Sequence, residues 1–403
     1  EFSNPRRFSF LLGPNALVGT ATAKLEKEGV VSSFADLSAR FSLEVVNKEF
    51  YRQIAVLFTE LCGGKRFDGK AEVEYAGLLK LPSGDRKTVQ EFAVRLIGRI
   101  VFCWFLKQKD LVGETWLTSK GAKETANYYH RHIENLFFEI LNTPREKRKQ
   151  MFRTNEANRI PFLNGGLFAP HRNDFYCFDE PTGISASVNT LKIPDEWLVR
   201  LFGVLESYNF TIDENTTIDV DLSIDPEMLG RIFENLLAEI NPETGETARK
   251  KTGSFYTPRA IVDYMVTESL VSYLAGKMDS AANVETTARL RSLFAYEKDA
   301  AESAQFSDAE RNMIVRAFHE MRCLDPACGS GAFPMGVLQK TLHALEKLDP
   351  DGEAFIARQL DGMENETARA IMEGMLREKG YQYVHKLTLV QDCIYGVDIQ
   401  PIA

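Results

Sequence analysis

The sequence predicts a mainly α N-terminal domain over residues 1–245, followed by the start of an α/β domain over residues 246–403. Three observations carry this. Apolar residues recur at helical spacing through long stretches of the first part. The tract Asn241–Lys251 is polar throughout and makes a natural boundary. After it the pattern changes to an apolar strand, a glycine-rich turn and a helix, the unit from which α/β sheets are built.

Taken in order, the first thirty-odd residues are mixed. From Ser42 the text turns helical, with Val45, Val46, Phe50, Ile54, Phe58 and Leu61 near one face. Val73–Leu81 suits strand or helix, and Pro82-Ser83-Gly84-Asp85 is a turn. Thr88 with Glu91 three residues on suggests a capping box opening a core helix. Its stripe is Val89, Phe92, Ala93, Leu96, Ile97, Ile100, Val101, Trp104 and Phe105. A helix is expected over Tyr128–Leu141, and Asn142–Asn189 is rich in turn residues. Asp225-Pro226 caps the next helix, where Leu229, Ile232, Phe233, Leu236, Leu237 and Ile240 keep the helical period. Beyond the boundary come a helix over Pro258–Leu274, a polar helix-rich region to Met321, a strand ending at Asp325 and a helix to Lys347. A helix from Glu353 to Lys379 and a last strand, Cys393–Ile399, complete the chain.

Composition narrows the function classes. At 44% hydrophobic and 26% charged over 403 residues, collagen-like and disordered readings are excluded. The most apolar run, Ala93–Leu106, is broken by Arg95 and Arg99 and falls short of the roughly 20 residues of a membrane span. The six scattered cysteines show no Cys-x-x-Cys pair, which points to reduced thiols, a cytoplasmic setting and no zinc site. His130 and His132 lie two apart, on different helix faces, and read as surface or core residues rather than ligands. The chain opens Glu1-Phe2-Ser3 with neither initiator Met nor signal segment, as an excised piece would. Net charge is −9, yet Asn142–Arg172 holds seven basic residues against two acidic ones. Within it Arg145, Lys147, Arg148 and Lys149 form the candidate phosphate-binding patch for duplex DNA. Two acid-x-Lys triplets, Asp68-Gly69-Lys70 and Asp85-Arg86-Lys87, have the short spacing of Mg²⁺-dependent nucleases but sit in turn-like text; a Mg²⁺ requirement is expected only where a nuclease domain accompanies the chain.

The densest chemistry lies in Asp325-Pro-Ala-Cys-Gly329-Ser-Gly331-Ala-Phe333-Pro334. Glycines let the backbone adopt positive φ and approach a ligand, and the helix start offers free N–H groups. A dinucleotide site would need a third glycine where Pro334 stands. An acid four residues before the first glycine repels pyrophosphate but suits the ammonium and sulfonium of S-adenosylmethionine. Upstream, Thr252-Gly-Ser-Phe-Tyr-Thr257-Pro258 is a tight loop running into a helix. Downstream, Tyr395-Gly-Val-Asp398-Ile399-Gln-Pro401 is a strand ending in an acid, the position that takes ribose hydroxyls.

These three segments, in this order, closely resemble motifs of the adenine-specific (N6) DNA methyltransferases, and more narrowly the fused restriction–modification (type IIG-like) methylases. Ser42–Tyr51, Phe162–Phe168 and the helix after Asp225 resemble that group's helical region. The resemblance implies a Rossmann-like S-adenosylmethionine-dependent methyltransferase domain. Phe255, Tyr256 and Thr257 would line the cofactor pocket, and Asp325 would take the cofactor's amino group. Ala327, Gly329 and Gly331 would form the floor and Phe333 a wall. Asp398 would hold the ribose hydroxyls and Ile399 would pack on the adenine. Two departures stand out. Gly331 and Asp398 are 67 positions apart, so residues 348–391 read as an insertion. The family's catalytic Asn/Asp-Pro-Pro-aromatic tetrapeptide occurs nowhere, so no catalytic residue is assigned and this truncated chain is expected to bind the donor without transferring methyl. The alternatives are a methyltransferase acting on RNA or protein, and a non-catalytic DNA-binding or assembly module with a degenerate methylase portion.

Overall fold

The computed structural model describes residues 7–9, 29–40, 43–67, 71–163, 166–208, 210, 219–221, 257, 259–278, 283–295, 306–329, 331–378 and 381–397, with Ala21 and Leu25. The chain forms two compact units, residues 1–256 and 257–401. Among the described residues no helix is long and apolar enough to cross a membrane.

The first unit is a helical core with small strand pairs. Strand β1 (Arg7–Ser9) pairs in parallel with a later strand, and α1 (Phe34–Arg40) precedes α2 (Leu43–Cys62). Phe50, Ile54, Leu57, Phe58 and Leu61 of α2 are buried at the expected spacing. A hairpin follows, β2 (Gly64–Phe67) antiparallel to β3 (Glu72–Tyr75), so only the start of Val73–Leu81 is strand. Helix α3 (Arg86–Gln108) begins before Thr88. Its cap is Asp85, whose carboxylate accepts the Thr88 amide at 2.9 Å. The predicted Thr88–Glu91 capping box is therefore replaced by a cap three residues earlier, where an acid with the same capping ability sits in the turn.

Helix α3 is buried around most of its girth, its two arginines included. Arg95 and Arg99 are tolerated inside because Asp174 holds both, at 3.0 and 2.9 Å. Unpaired, either cation would be very costly to bury. The short α4 (Ser119–Glu124) leads to Tyr129–Ile133 and Asn135–Leu141, which are helical as expected but wound with π geometry. Their start is fastened by Asp195, whose two carboxylate oxygens accept the Asn127 and Tyr128 amides at 2.8 Å each. Short turns, α5 (Asn155–Arg159) and the pair β4 (Phe178–Asp179) and β5 (Ile184–Ser185) fill the turn-rich stretch. Helix α6 (Asp195–Glu206) closes the core by seating Trp197, whose indole N–H donates to the Leu57 carbonyl at 2.9 Å. Strand β6 (Asp219–Asp221) is the partner of β1. The helix expected after Asp225 lies outside the described residues.

In the second unit, α7 (Arg259–Lys277), α8 (Val284–Phe294) and α9 (Asp308–Glu320) precede strand β7 (Cys323–Asp325) and helix α10 (Ala332–Leu348). The expected single helix over Glu353–Lys379 is two, α11 (Glu353–Leu360) and α12 (Glu366–Glu378). Between them Gly362 takes φ +78°, a conformation no helix interior accepts. Helix α13 (Tyr381–Asp392) then returns the chain to β8 (Ile394–Gly396), which lies parallel to β7 with Leu324 opposite Tyr395. Parallel pairing requires such a crossover. Helix α10 packs against both strands, and the core of the unit gathers Val266, Leu274, Phe294, Phe318 and Leu345.

Candidate functional site

The glycine-rich turn hangs from the end of β7 and is fixed by main-chain hydrogen bonds. Val397 donates its amide to the Asp325 carbonyl, and Cys328 donates to the Val397 carbonyl, each at 2.9 Å. Gly331 then donates to the Cys328 carbonyl at 2.8 Å, closing the turn as α10 begins. Gly329 and Gly331 adopt φ +51° and +81°, and a Cβ on either would meet nothing within 4 Å. The glycines thus supply a left-handed backbone and an open surface, rather than room for a packed neighbour. No side chain caps α10, whose first residues follow Gly331 directly.

Asp325 ends the strand with its carboxylate split between two environments. Oδ1 accepts the Ala327 amide at 3.1 Å. Oδ2 is buried and has no hydrogen-bond partner among the described residues. A buried carboxylate oxygen without a donor is costly, and a donor arriving from a ligand would remove that cost. The carboxylate is felt next door: burial first, then the Asp325 charge, push the Cys323 thiol above its ordinary range.

Of the other expected site residues, Ala327 and Gly329 are exposed on the turn, and Phe333 is half-buried against the unit's core. Thr257 is half-buried two residues before α7. Phe255, Tyr256, Asp398 and Ile399 lie outside the described residues. Sequence reasoning missed Gly336 and Gly396. A Cβ on Gly336 would sit 2.9 Å from Val262 Cγ1, and one on Gly396 would sit 3.0 Å from Cys328 Sγ. A glycine inside a helix or strand pattern was the available signal for both close approaches.

The basic patch separates into different roles. Arg145 and Lys147 are exposed. Arg148 is buried, and its guanidinium donates to the carbonyls of Thr143, Ala157, Ile140 and Ile160. As a phosphate ligand it is corrected: those bonds hold the turn together from inside. Lys149 is half-buried, 2.5 Å from Glu139 and 4.0 Å over the Phe178 ring.

Among the described residues no group of three or more His, Cys, Asp or Glu could hold a metal ion. Asp85 of the second triplet is a helix cap, and Asp68-Gly69-Lys70 lies outside the described residues. His130 is a core residue. Its Nδ1 lies 2.6 Å from Glu134 and its Nε2 lies 3.0 Å from the Leu191 carbonyl.

Compared with known proteins, the chain is 26% identical over 381 residues to a candidate type II restriction enzyme and methyltransferase of Methanocaldococcus jannaschii. That similarity covers 89% of this chain and 29% of the relative, so the chain spans less than a third of the relative's length. No family model matches the chain, and no solved structure does.

Proposed function

We propose that this chain is the methyl-donor-binding part of a DNA methyltransferase acting on the N6 amine of adenine, within a restriction–modification or phage-defence system in the cytoplasm. One observation carries the cofactor assignment: the buried, partnerless Oδ2 of Asp325 beside two positive-φ glycines. A carboxylate oxygen without a donor, on the residue that opens the glycine-rich turn, fits the ammonium of S-adenosylmethionine better than it fits a phosphate. When bound, that cofactor supplies an electrophilic methyl group on its sulfonium. The similarity to a candidate restriction enzyme and methyltransferase supports the reaction class. The parallel β7–β8 pair with α10 packed on it supports a Rossmann-like domain.

Within this reading Asp325 accepts the cofactor's ammonium. Gly329 and Gly331 let the main chain approach it, Ala327 completes the floor and Phe333 stands as a wall. Phe255, Tyr256 and Thr257 line the pocket, Asp398 holds the ribose hydroxyls and Ile399 packs on the adenine ring. Duplex DNA is met through Arg145 and Lys147, with Lys149 at the margin, while Arg148 shapes the turn that presents them. A requirement for Mg²⁺ would follow only from a nuclease domain accompanying this one.

Calorimetric titration with S-adenosylhomocysteine tests the cofactor, and mass spectrometry of DNA treated with S-adenosylmethionine and this chain joined to a segment that supplies the Asn/Asp-Pro-Pro-aromatic tetrapeptide tests the target. Saturable binding and N6-methyladenine are expected. No binding at saturating ligand would overturn the cofactor assignment. Methyl groups found on cytosine, RNA or protein would overturn the target.

A further inference from the structure

The two loops assigned to the donor site each run into a helix, Thr257 into α7 and Gly331 into α10. Those helices touch where α10 presents a glycine in place of a side chain. Val262 and Val266, one turn apart on α7 and both buried, straddle Gly336 of α10. A Cβ on Gly336 would lie 2.9 Å from one valine and 3.2 Å from the other. One turn further along α10, Lys340 reaches across. Its Nζ lies 2.8 Å from Asp263 Oδ1 and donates to the carbonyl of Phe294, the last residue of α8, at 3.0 Å. The lysine side chain is only 4% exposed.

The apolar contact alone cannot fix how far α7 slides along α10. Val262, Val266, Leu270 and Leu274 are all buried and recur every turn. A slip of one turn, about 5.4 Å, would still place apolar residues over Gly336. The same slip would bring Thr267 to the place of Asp263, and Lys340 would keep a buried charge with no carboxylate. A buried charge without its counterion is strongly penalised, so among the described α7–α10 contacts the ion pair disfavours the slipped register where the valine contacts do not.

We propose that Asp263 and Lys340 are positioning residues of the donor site. They set the register of α7 against α10, and through it the placement of Thr257 relative to Gly329 and Gly331. The proposal rests on the S-adenosylmethionine reading given above. Neither residue touches the cofactor; both act through the helices that carry the loops.

The test separates stability from binding in the intact chain. Asp263→Leu takes the counterion from the buried Lys340, which keeps its bond to the Phe294 carbonyl, so it should lower the melting temperature and weaken S-adenosylhomocysteine binding by roughly tenfold. Adding Lys340→Met removes the stranded charge. The double variant should regain most of the melting temperature while binding stays weak, a split that a purely structural role does not produce. Affinity returning to the wild-type value together with stability would overturn the proposal. If the wild-type chain binds no S-adenosylhomocysteine, the donor reading fails; the register is then judged by hydrogen exchange without ligand. There the double variant should exchange faster over residues 263–270 and 336–343, the first amides of α7 and α10 bonded within their helices, and unchanged protection would overturn the register claim by itself.

Discussion

The amide of Cys328 donates to the carbonyl of Val397 at 2.9 Å, which ties the glycine-rich turn to the residue that follows the neighbouring strand. Beside that bond the Cys328 side chain fills the space over Gly396. The turn is thus held by a main-chain bond and seated by a packed thiol.

Gly396→Ala places a methyl group 3.0 Å from Cys328 Sγ and 3.2 Å from its Cβ, so the turn must shift. A loss of about 1–3 kcal/mol is expected, as for other overpacked sites. Chemical denaturation reads it, and an unchanged midpoint would show that the turn yields freely. Gly331→Ala is the contrasting case. Nothing crowds its Cβ, but φ +81° would strain alanine by about 1–2 kcal/mol.

Asp325→Asn keeps the shape of the side chain and removes its charge. If Oδ2 receives the cofactor's ammonium, the lost charge-assisted bond is worth roughly 1.5–3 kcal/mol. Affinity for S-adenosylmethionine should then fall about ten- to hundredfold near neutral pH, by isothermal titration. Equal affinity of the two proteins would remove Asp325 from the site.

For DNA, the residues of the basic patch should behave unequally. Arg145→Ser with Lys147→Ser should flatten the plot of log affinity against log salt by about 1–2 units, at about 0.9 per phosphate contact. Fluorescence anisotropy on duplex DNA measures this, and superimposed salt titrations would place the contact elsewhere. Arg148→Ala should instead unfold the turn, because it strands four carbonyls that the guanidinium now serves. Its signature is a drop in melting temperature whether or not DNA is present.

Acid should weaken the second unit through His385. Its ring stacks on Phe355 with centroids 4.2 Å apart, and burial, then Arg358, lowers its pKa from 6.5 to about 4. The folded chain therefore keeps the imidazole neutral where the unfolded chain would take up a proton. This contribution is complete above pH 6.5 and is lost as pH falls toward 4, with no further loss from this group below. It amounts to about 3 kcal/mol at most. Urea unfolding between those pH values should show the decline, and His385→Phe should flatten it. An equally steep decline in the variant would assign the effect to other groups.

Much of the scaffold was legible because periodicity speaks directly for buried faces. The stripe of α3, the helix after Thr257 and the strand–turn–helix around Asp325 all stand where spacing put them. Caps were less legible: Asp85 and Thr88 are both competent, and only the geometry of the turn chooses between them. The break at Asp361-Gly362 was written in the text, but the surrounding helical spacing concealed it. Charge counting failed at Arg148, since a guanidinium surrounded by carbonyls looks the same in a sequence as one in water. Contacts between distant segments are only half written: a glycine inside the helix pattern signals a close approach at Gly336, but not that Val262 makes it.

The indole of Trp197 closes on a carbonyl 140 residues earlier in the chain. A ribosome adding roughly 5–20 residues per second would need about 7–28 s to travel from one partner to the other. During that interval the apolar face of α2 waits in the nascent polypeptide without the residue that completes its cover. Slower translation downstream of Leu57 would lengthen that interval, and the yield of folded protein should fall with it where chaperones are scarce.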